Sequence, residues 1–123
     1  IPGILQIMRR ADAQTALGNA KSLRLALQAA SMECYAADRS FHDISGPGGV
    51  TEEVWRKVIT DSKVPGDFWI LQMDENGYEV QCFLYQEGGF TVTYHKDPLV
   101  YAVSYGEEYI RTSFPGQKED PNP

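Results

Sequence analysis

Residues 10–30 read RADAQTALGNAKSLRLALQAA, and this stretch decides the fold. It is dominated by Ala, Leu, Gln, Lys and Arg, which are all good helix formers. Apolar residues recur at three- and four-residue steps, the period of one face of an α-helix. The stripe consists of Ala13, Ala16, Leu17, Ala20, Leu23, Leu27, Ala30 and Cys34. The pattern predicts one long N-terminal helix over residues 1–37.

Two residues could disturb this helix. Pro2 fits a kink or a helix start, and Gly18 permits a bend at a cost of about 1 kcal/mol relative to Ala. A second, discontinuous apolar set lies roughly opposite the main stripe: Ala11, Leu25, Ala29, Met32 and Ala36. This set is either a face for a partner or a run of good helix formers on a solvated surface.

The helix is long for the domain that carries it. From about residue 4 to residue 37 it would measure roughly 50 Å at 1.5 Å per residue. A compact domain of this chain length has a diameter of roughly 35 Å. We therefore expect the N-terminal end to overhang, with Ile1, Ile4, Leu5, Ile7 and Met8 in the overhang. An exposed apolar end indicates a partner or a membrane.

The remainder of the chain is typical of a small second helix and a sheet. Residues 38–50 have the Gly, Pro, Ser and Asp content of a loop, and TEEVWRKVITDS (51–62) predicts a short helix capped by Thr51. Its apolar face is Val54, Trp55, Val58 and Ile59. Strands are predicted at residues 68–73, 78–86, 90–95 and 99–105, with 109–114 as an added edge strand. The short turns between them, including Asn76-Gly77, require antiparallel pairing.

These patterns predict a single α+β domain spanning residues 1–123. A long N-terminal α-helix packs on an antiparallel β-meander of about four strands, with one short extra helix. By segment, residues 1–37 form the helix, 38–67 a loop and the short helix, 68–114 the sheet, and 115–123 a loose polar tail.

Composition excludes some classes of protein. The 42% hydrophobic and 23% charged residues are ordinary for a folded domain, whereas a net charge of −6 disfavours a general nucleic-acid binder. Four basic against two acidic residues give residues 1–37 a charge of +2, so the remainder carries −8. Contacts between the basic helix of one copy and the acidic body of another are therefore conceivable. No run of 18 or more apolar residues occurs.

The two cysteines are 48 positions apart and lack the spacing of a zinc or thioredoxin-type site. Cys34 lies near the end of the long helix and Cys82 within a predicted strand. We expect a Cys34–Cys82 disulfide that ties the helix to the sheet, with a stabilisation of up to about 4 kcal/mol. The alternative is two buried free thiols.

No arrangement of residues indicates catalysis or a cofactor. GPGG (46–49) lacks the Lys and the Ser or Thr of a phosphate-binding loop, and DENG (74–77) is followed by the wrong residues for a calcium loop. His42 and His95 are far apart in sequence, each among ordinary neighbours. We expect no enzyme, cofactor or metal, although a Ca²⁺ site in the acidic loops stays open.

The stretch IPGILQIMRRADAQTALGNAKSLRLALQAA (1–30) resembles the N-terminal helix of type IV pilins and the related type II secretion pseudopilins. Their helices similarly run through an Ile-Pro near the end of an apolar segment into an amphipathic half with Ala, Arg, Asn and Lys. The resemblance rests on residues 1–37 by motif and on the remainder only by the order of elements. A Cys34–Cys82 bridge departs from the disulfide common in that family, which closes a C-terminal loop.

The resemblance implies a structural subunit that polymerises into a surface filament for adhesion, motility, secretion or DNA uptake. The membrane anchor would be an upstream segment of about twenty apolar residues, enough to span a bilayer. The partners implied are further pilin subunits and an inner-membrane assembly machinery, and the location is the cell surface. The residues implied in assembly are Ile4, Ile7, Met8, Arg9, Arg10, Ala11 and Asp12.

Two other functions remain open. A membrane-anchored or secreted ligand-binding α+β domain, with the helix as a stalk, predicts a monomer with a concave aromatic pocket. A small α+β enzyme would need polar residues with perturbed pKa values clustered in a cleft.

Overall fold

The structure is a computed structural model that describes the backbone of residues 2–106 and 108–113 and the side chains of residues 12–106. The elements are α1 (Pro2–Ala36), α2 (Glu52–Ser62), β1 (Asp67–Met73), β2 (Val80–Glu87), β3 (Phe90–His95), β4 (Val100–Tyr105) and β5 (Glu108–Ser113), with a 3₁₀ turn at Pro47–Gly49. The predicted fold class is confirmed: a long helix, a short helix and an antiparallel meander on which the long helix packs.

The predicted stripe of α1 is its buried face. All eight of the apolar residues assigned to it are at most 5% exposed, and Ala26 joins them. The second set lies outside the core, since Leu25 and Met32 are 65% and 72% exposed. Pro2 is the first residue of α1, where its missing N–H costs no hydrogen bond. The helix continues unbroken through Gly18, on its exposed side, and the bend at this residue stays a prediction.

The C-terminal end of α1 is closed by its own backbone. Asp38 adopts a left-handed conformation with a φ of 55°. The Arg39 N–H then donates to the Cys34 carbonyl at 2.8 Å and the Asp38 N–H to the Tyr35 carbonyl at 3.3 Å. This pair of bonds is a Schellman motif, which satisfies two carbonyls left over at the helix end. The chain therefore turns sharply and α2 follows beside α1.

Helix α2 begins where the sequence predicts. The Thr51 hydroxyl accepts from the Val54 N–H at 3.3 Å, and Glu52 and Glu53 occupy the first turn, where the helix dipole favours negative charge. Val54 and Val58 are buried in the core shared with α1. Lys57 pairs with Glu33 of α1 at 3.2 Å, although both side chains are largely exposed and the pair contributes little stability.

The five strands pair in chain order and every pair is antiparallel. Side chains alternate between the two faces, and the face toward α1 carries the core. The side chains on this face include those of Phe68, Ile70, Phe83, Tyr85, Phe90, Val92, Tyr94, Tyr101 and Val103. Two register shifts interrupt the β1–β2 pairing, between Ile70 and Gln72 and between Gln72 and Met73. These bulges bend the β1–β2 hairpin at the end where the candidate site lies.

The predicted Cys34–Cys82 disulfide is wrong, because both cysteines are free and buried. Cys34 belongs to the core cluster and lies beside Thr51 and Val54 at the start of α2. Cys82 is outside that cluster, next to Phe83, which points toward α1. Neighbouring residues of a strand point to opposite faces, so the Cys82 thiol lies on the outer face, 3.9 Å from Nε2 of His95. The sheet itself separates the two sulfur atoms.

Candidate functional site

The residues predicted for assembly all fall on α1. Ile4, Ile7, Met8, Arg9, Arg10 and Ala11 lie in its first turns, and their side chains are outside the described residues. Asp12 is exposed. From Ala13 onward α1 has a face that is buried against the rest of the domain. Ten further residues of α1, residues 2–11, precede Asp12 in the chain.

A groove of about 690 Å³ lies between the second half of α1 and the β1–β2 hairpin. This volume is in the range of small-molecule sites. Its lining is largely aromatic and aliphatic, with a few charged groups: Arg24, Leu27, Gln28, Ser31, Met32, Tyr35, Ala36, Asp74, Asn76, Tyr78, Glu79, Val80, Phe83, Tyr94 and Lys96. We call it the α1–hairpin groove.

One end of the groove is fixed by Tyr78. Its ring meets the ring of Tyr35 edge to face, with centroids 5.3 Å apart, and its hydroxyl donates to the Arg39 carbonyl at 2.9 Å. The Ser31 hydroxyl donates to the Tyr78 carbonyl. The hairpin is thus attached to the C-terminal part of α1 by both the backbone and the side chain of Tyr78.

The turn before Tyr78 is held by Asp74. One of its carboxylate oxygens accepts from the Tyr78 and Glu79 N–H groups, both at 3.0 Å. The bond from Glu79, followed by that from Tyr78, holds the pKa of the Asp74 carboxyl below its usual range. Gly77 has a φ of 77°, which the predicted Asn-Gly turn requires. The Asp74 carboxylate is therefore committed to the hairpin.

Arg24 provides the positive charge of the groove. Its guanidinium carbon lies over the ring of Tyr94, 5.2 Å from the centroid, in cation–π geometry. Burial opposes the charge, but the hydroxyls of Tyr101 and Tyr94 favour it, so the pKa of Arg24 is raised. Nε is buried and has no hydrogen-bond partner. No carboxylate among residues 12–106 forms an ion pair with this guanidinium.

The rim of the groove carries a paired set of charges. Lys96 on the loop after β3 pairs with the Glu79 carboxylate, and the Gln81 amide donates to the same carboxylate oxygen at 3.0 Å. The bond from Lys96 lowers the pKa of Glu79 below its usual range. The rim is therefore close to neutral, whereas the floor at Arg24 is positive.

A second polar cluster lies at the opposite end of the helix–sheet contact. The Asn19 amide donates to Oε1 of Glu87 at 2.6 Å, and the hydroxyl of fully buried Tyr85 donates to the same oxygen at 2.7 Å. The Gly66 N–H donates to the Tyr85 oxygen at 3.1 Å. Burial, with the bond to Glu87, raises the pKa of Tyr85. Through these three hydrogen bonds the cluster joins α1 to β2.

Neither histidine joins a group of candidate ligands. His42 is exposed in the loop that bridges to Val50, and His95 is exposed on the outer face of the sheet. Within residues 12–106, no three His, Cys, Asp or Glu side chains are close enough together to hold a metal ion. The calcium site in the acidic loops, which the sequence leaves open, therefore has no group of three carboxylates in that part of the chain.

The comparisons with known proteins give no match. No family model, no curated protein and no solved structure is similar to this chain at a significant level. Among the described helices, none is both long and apolar enough to cross a membrane. The α+β fold is thus established by the structure alone.

The residues that line the α1–hairpin groove were not predicted from the sequence, although one signal was present. Ala20, Arg24, Leu27 and Ser31 follow one another at three- and four-residue steps along the edge of the apolar stripe. A basic residue at such a position must lie against the sheet rather than in open solvent. Its aromatic partner, Tyr94, is 70 residues away and could not be inferred from spacing.

Proposed function

We propose that this chain is a structural subunit of a type IV pilus or a related pseudopilus. The observation that supports this function best is the length of α1. Its 35 residues correspond to roughly 52 Å, whereas a compact domain of this chain length is roughly 35 Å across. A helix that only covers a sheet has no need of this length, whereas a filament subunit uses the additional turns to contact its neighbours.

The surface of α1 offers a second argument. Leu25 and Met32 are mostly exposed, and Ala29 and Ala36 on the same side are exposed as well. Small and apolar side chains allow two helices to approach closely. A filament is built from heterologous contacts that repeat without closing, so one subunit needs surfaces of this kind beyond its own core.

Within this proposal, residues 4–12 form the assembly interface. Ile4, Ile7, Met8 and Ala11 would pack between helices, and Arg9, Arg10 and Asp12 would pair with charges of neighbouring subunits. The acidic remainder of the chain is a suitable partner for the basic helix. Location on the cell surface and dependence on a membrane assembly machinery follow from the same proposal.

The test is electron microscopy of material sheared from the source cells and labelled with an antibody against the folded domain. We expect labelled filaments that are absent from a strain without the gene. Label confined to the membrane or to soluble monomers, with filaments unaffected by the deletion, would refute the filament function.

The alternative function is a membrane-anchored or secreted ligand-binding domain, and the α1–hairpin groove favours it. The groove is concave, has aromatic walls and has a volume suited to a small molecule. This alternative requires a monomer with a bound ligand and no filament, so the same microscopy distinguishes it from the first.

A further inference from the structure

The α1–hairpin groove combines an apolar wall with a positive charge that has no anionic partner among residues 12–106. Leu27 and Phe83 lie behind the wall, since they are 1% and 0% exposed, whereas half-buried Val80 and Met32, which is 72% exposed at the rim, present apolar surface to the groove. Arg24 is set into this wall between α1 and Tyr94. Such a groove presents two recognition elements to a ligand, a hydrophobic surface and a guanidinium.

The other charges of the groove are already in use. The Asp74 carboxylate accepts from two backbone N–H groups of the hairpin. Glu79 and Lys96 neutralise each other at the rim. Arg24 and Asp74 are the two charges of the described lining without a counter-ion, but the Asp74 carboxylate is held by the hairpin backbone, whereas the Arg24 guanidinium contacts the neutral tyrosines Tyr94 and Tyr101. The position beside Arg24 is therefore the one at which a negatively charged group would gain a cationic partner.

We propose that the α1–hairpin groove binds an apolar monoanion, with its carboxylate at Arg24 and its hydrocarbon part along Val80 and Met32. Guanidinium groups bind carboxylates through charge-assisted hydrogen bonds, which are stronger than those between neutral groups. The hydrocarbon part would remove the exposed Met32 side chain and the exposed part of Val80 from water. This binding site does not include residues 4–12, which form the proposed assembly interface, although Met32 and Ala36 belong both to its lining and to the exposed side of α1.

The ligand class can be tested with decanoate and with its neutral analogue 1-decanol, by isothermal titration calorimetry on the folded chain. We expect decanoate to bind at least about tenfold more tightly than decanol, because one charge-assisted hydrogen bond accounts for a factor of that size. In Arg24→Gln the preference disappears, and in Arg24→Lys part of it is retained.

A second variant avoids the helix–sheet contact, in case Arg24→Gln fails to fold. Met32→Glu places a negative charge at the exposed rim and should weaken decanoate binding about tenfold. Ser22→Glu adds the same charge to an exposed position of α1 outside the groove lining and should leave binding unchanged. Thermal unfolding of each variant verifies that it is folded.

Three results would overturn the proposal. These are no detectable binding of decanoate at millimolar concentration, equal affinities for decanoate and decanol, and equal effects of Met32→Glu and Ser22→Glu. None of them bears on whether the chain forms filaments, so failure of the groove and failure of the filament function are distinguishable.

Discussion

Asn19 of α1 and Glu87 at the end of β2 are joined by a 2.6 Å hydrogen bond across the helix–sheet interface. Oε1 of Glu87 also accepts the hydroxyl of buried Tyr85, so one carboxylate oxygen serves both donors. Two polar side chains from different elements are thereby satisfied inside an otherwise apolar contact. This relationship helps to fix the position of α1 along the sheet.

We expect Glu87→Ala to lower the free energy of unfolding by about 1–3 kcal/mol, because the buried Tyr85 hydroxyl loses its acceptor. Urea unfolding monitored by circular dichroism measures the change. The control is Gln86→Ala at the neighbouring exposed position, which should cost less than about 0.5 kcal/mol. In a Tyr85→Phe background the loss from Glu87→Ala should shrink. Equal losses in both backgrounds would show that the two side chains are not coupled.

Gly18→Ala should stabilise the domain by up to about 1 kcal/mol, because Gly18 lies inside α1 and Ala is the better helix former. A Cβ at this position meets nothing within 4 Å. The matched comparison is Gly48→Ala in the loop before α2. There φ is 67° and a Cβ would lie 2.8 Å from the Phe68 ring, so this substitution should destabilise. A stabilised Gly48→Ala or a destabilised Gly18→Ala in the same urea experiment would contradict these geometries.

Both thiols should be unreactive in the folded protein. Cys34 and Cys82 are each 5% exposed, and burial raises the pKa of both, which reduces the thiolate fraction at neutral pH. Ellman's reagent at pH 8 should detect no rapidly reacting thiol in the native state and two in guanidinium chloride. A native intact mass two hydrogens below that of the free-thiol chain would instead establish a disulfide.

The stability of the hairpin should depend on pH through Asp74. Its pKa is lowered on folding, so its stabilising effect is present above the unfolded pKa of about 4 and is lost as the pH falls through the folded value. Asp74→Asn should therefore be less stable than wild type at pH 7, and the difference should narrow in acid. Glu75→Gln, an exposed carboxylate in the same turn, is the control. A difference that stays constant from pH 7 to pH 2 would contradict this assignment.

The elements could be predicted from the sequence because each depends on local residues. The α1 stripe from Ala13 to Cys34 follows one period, Thr51 is a hydroxyl cap before two glutamates, and Asn-Gly and Gly-Gly turns separate the first three strands. The observed strand ends differ from the predicted ones by only one or two residues. These features need no knowledge of which residues meet in space.

The errors concern contacts between distant segments. A Cys34–Cys82 disulfide requires both sulfur atoms on the same side of the sheet. Phe83 points toward α1, so its neighbour Cys82 points to the opposite face, away from Cys34. The α1–hairpin groove brings residues 24–36 of α1 together with residues 74–83 of the hairpin and with Tyr94. The Asn19–Glu87 bond joins residues 68 positions apart. None of these relationships follows from spacing along the chain.

The filament function is tested most directly by the N-terminal sequence and intact mass of the native protein sheared from its source cells. The account predicts a methylated N-terminal residue, about twenty apolar residues ahead of Ile1 as a bilayer-spanning segment requires, and a mass that corresponds to two free thiols. An N-terminus close to Ile1, or one left by an ordinary secretory signal peptide, would contradict it and would favour the ligand-binding alternative.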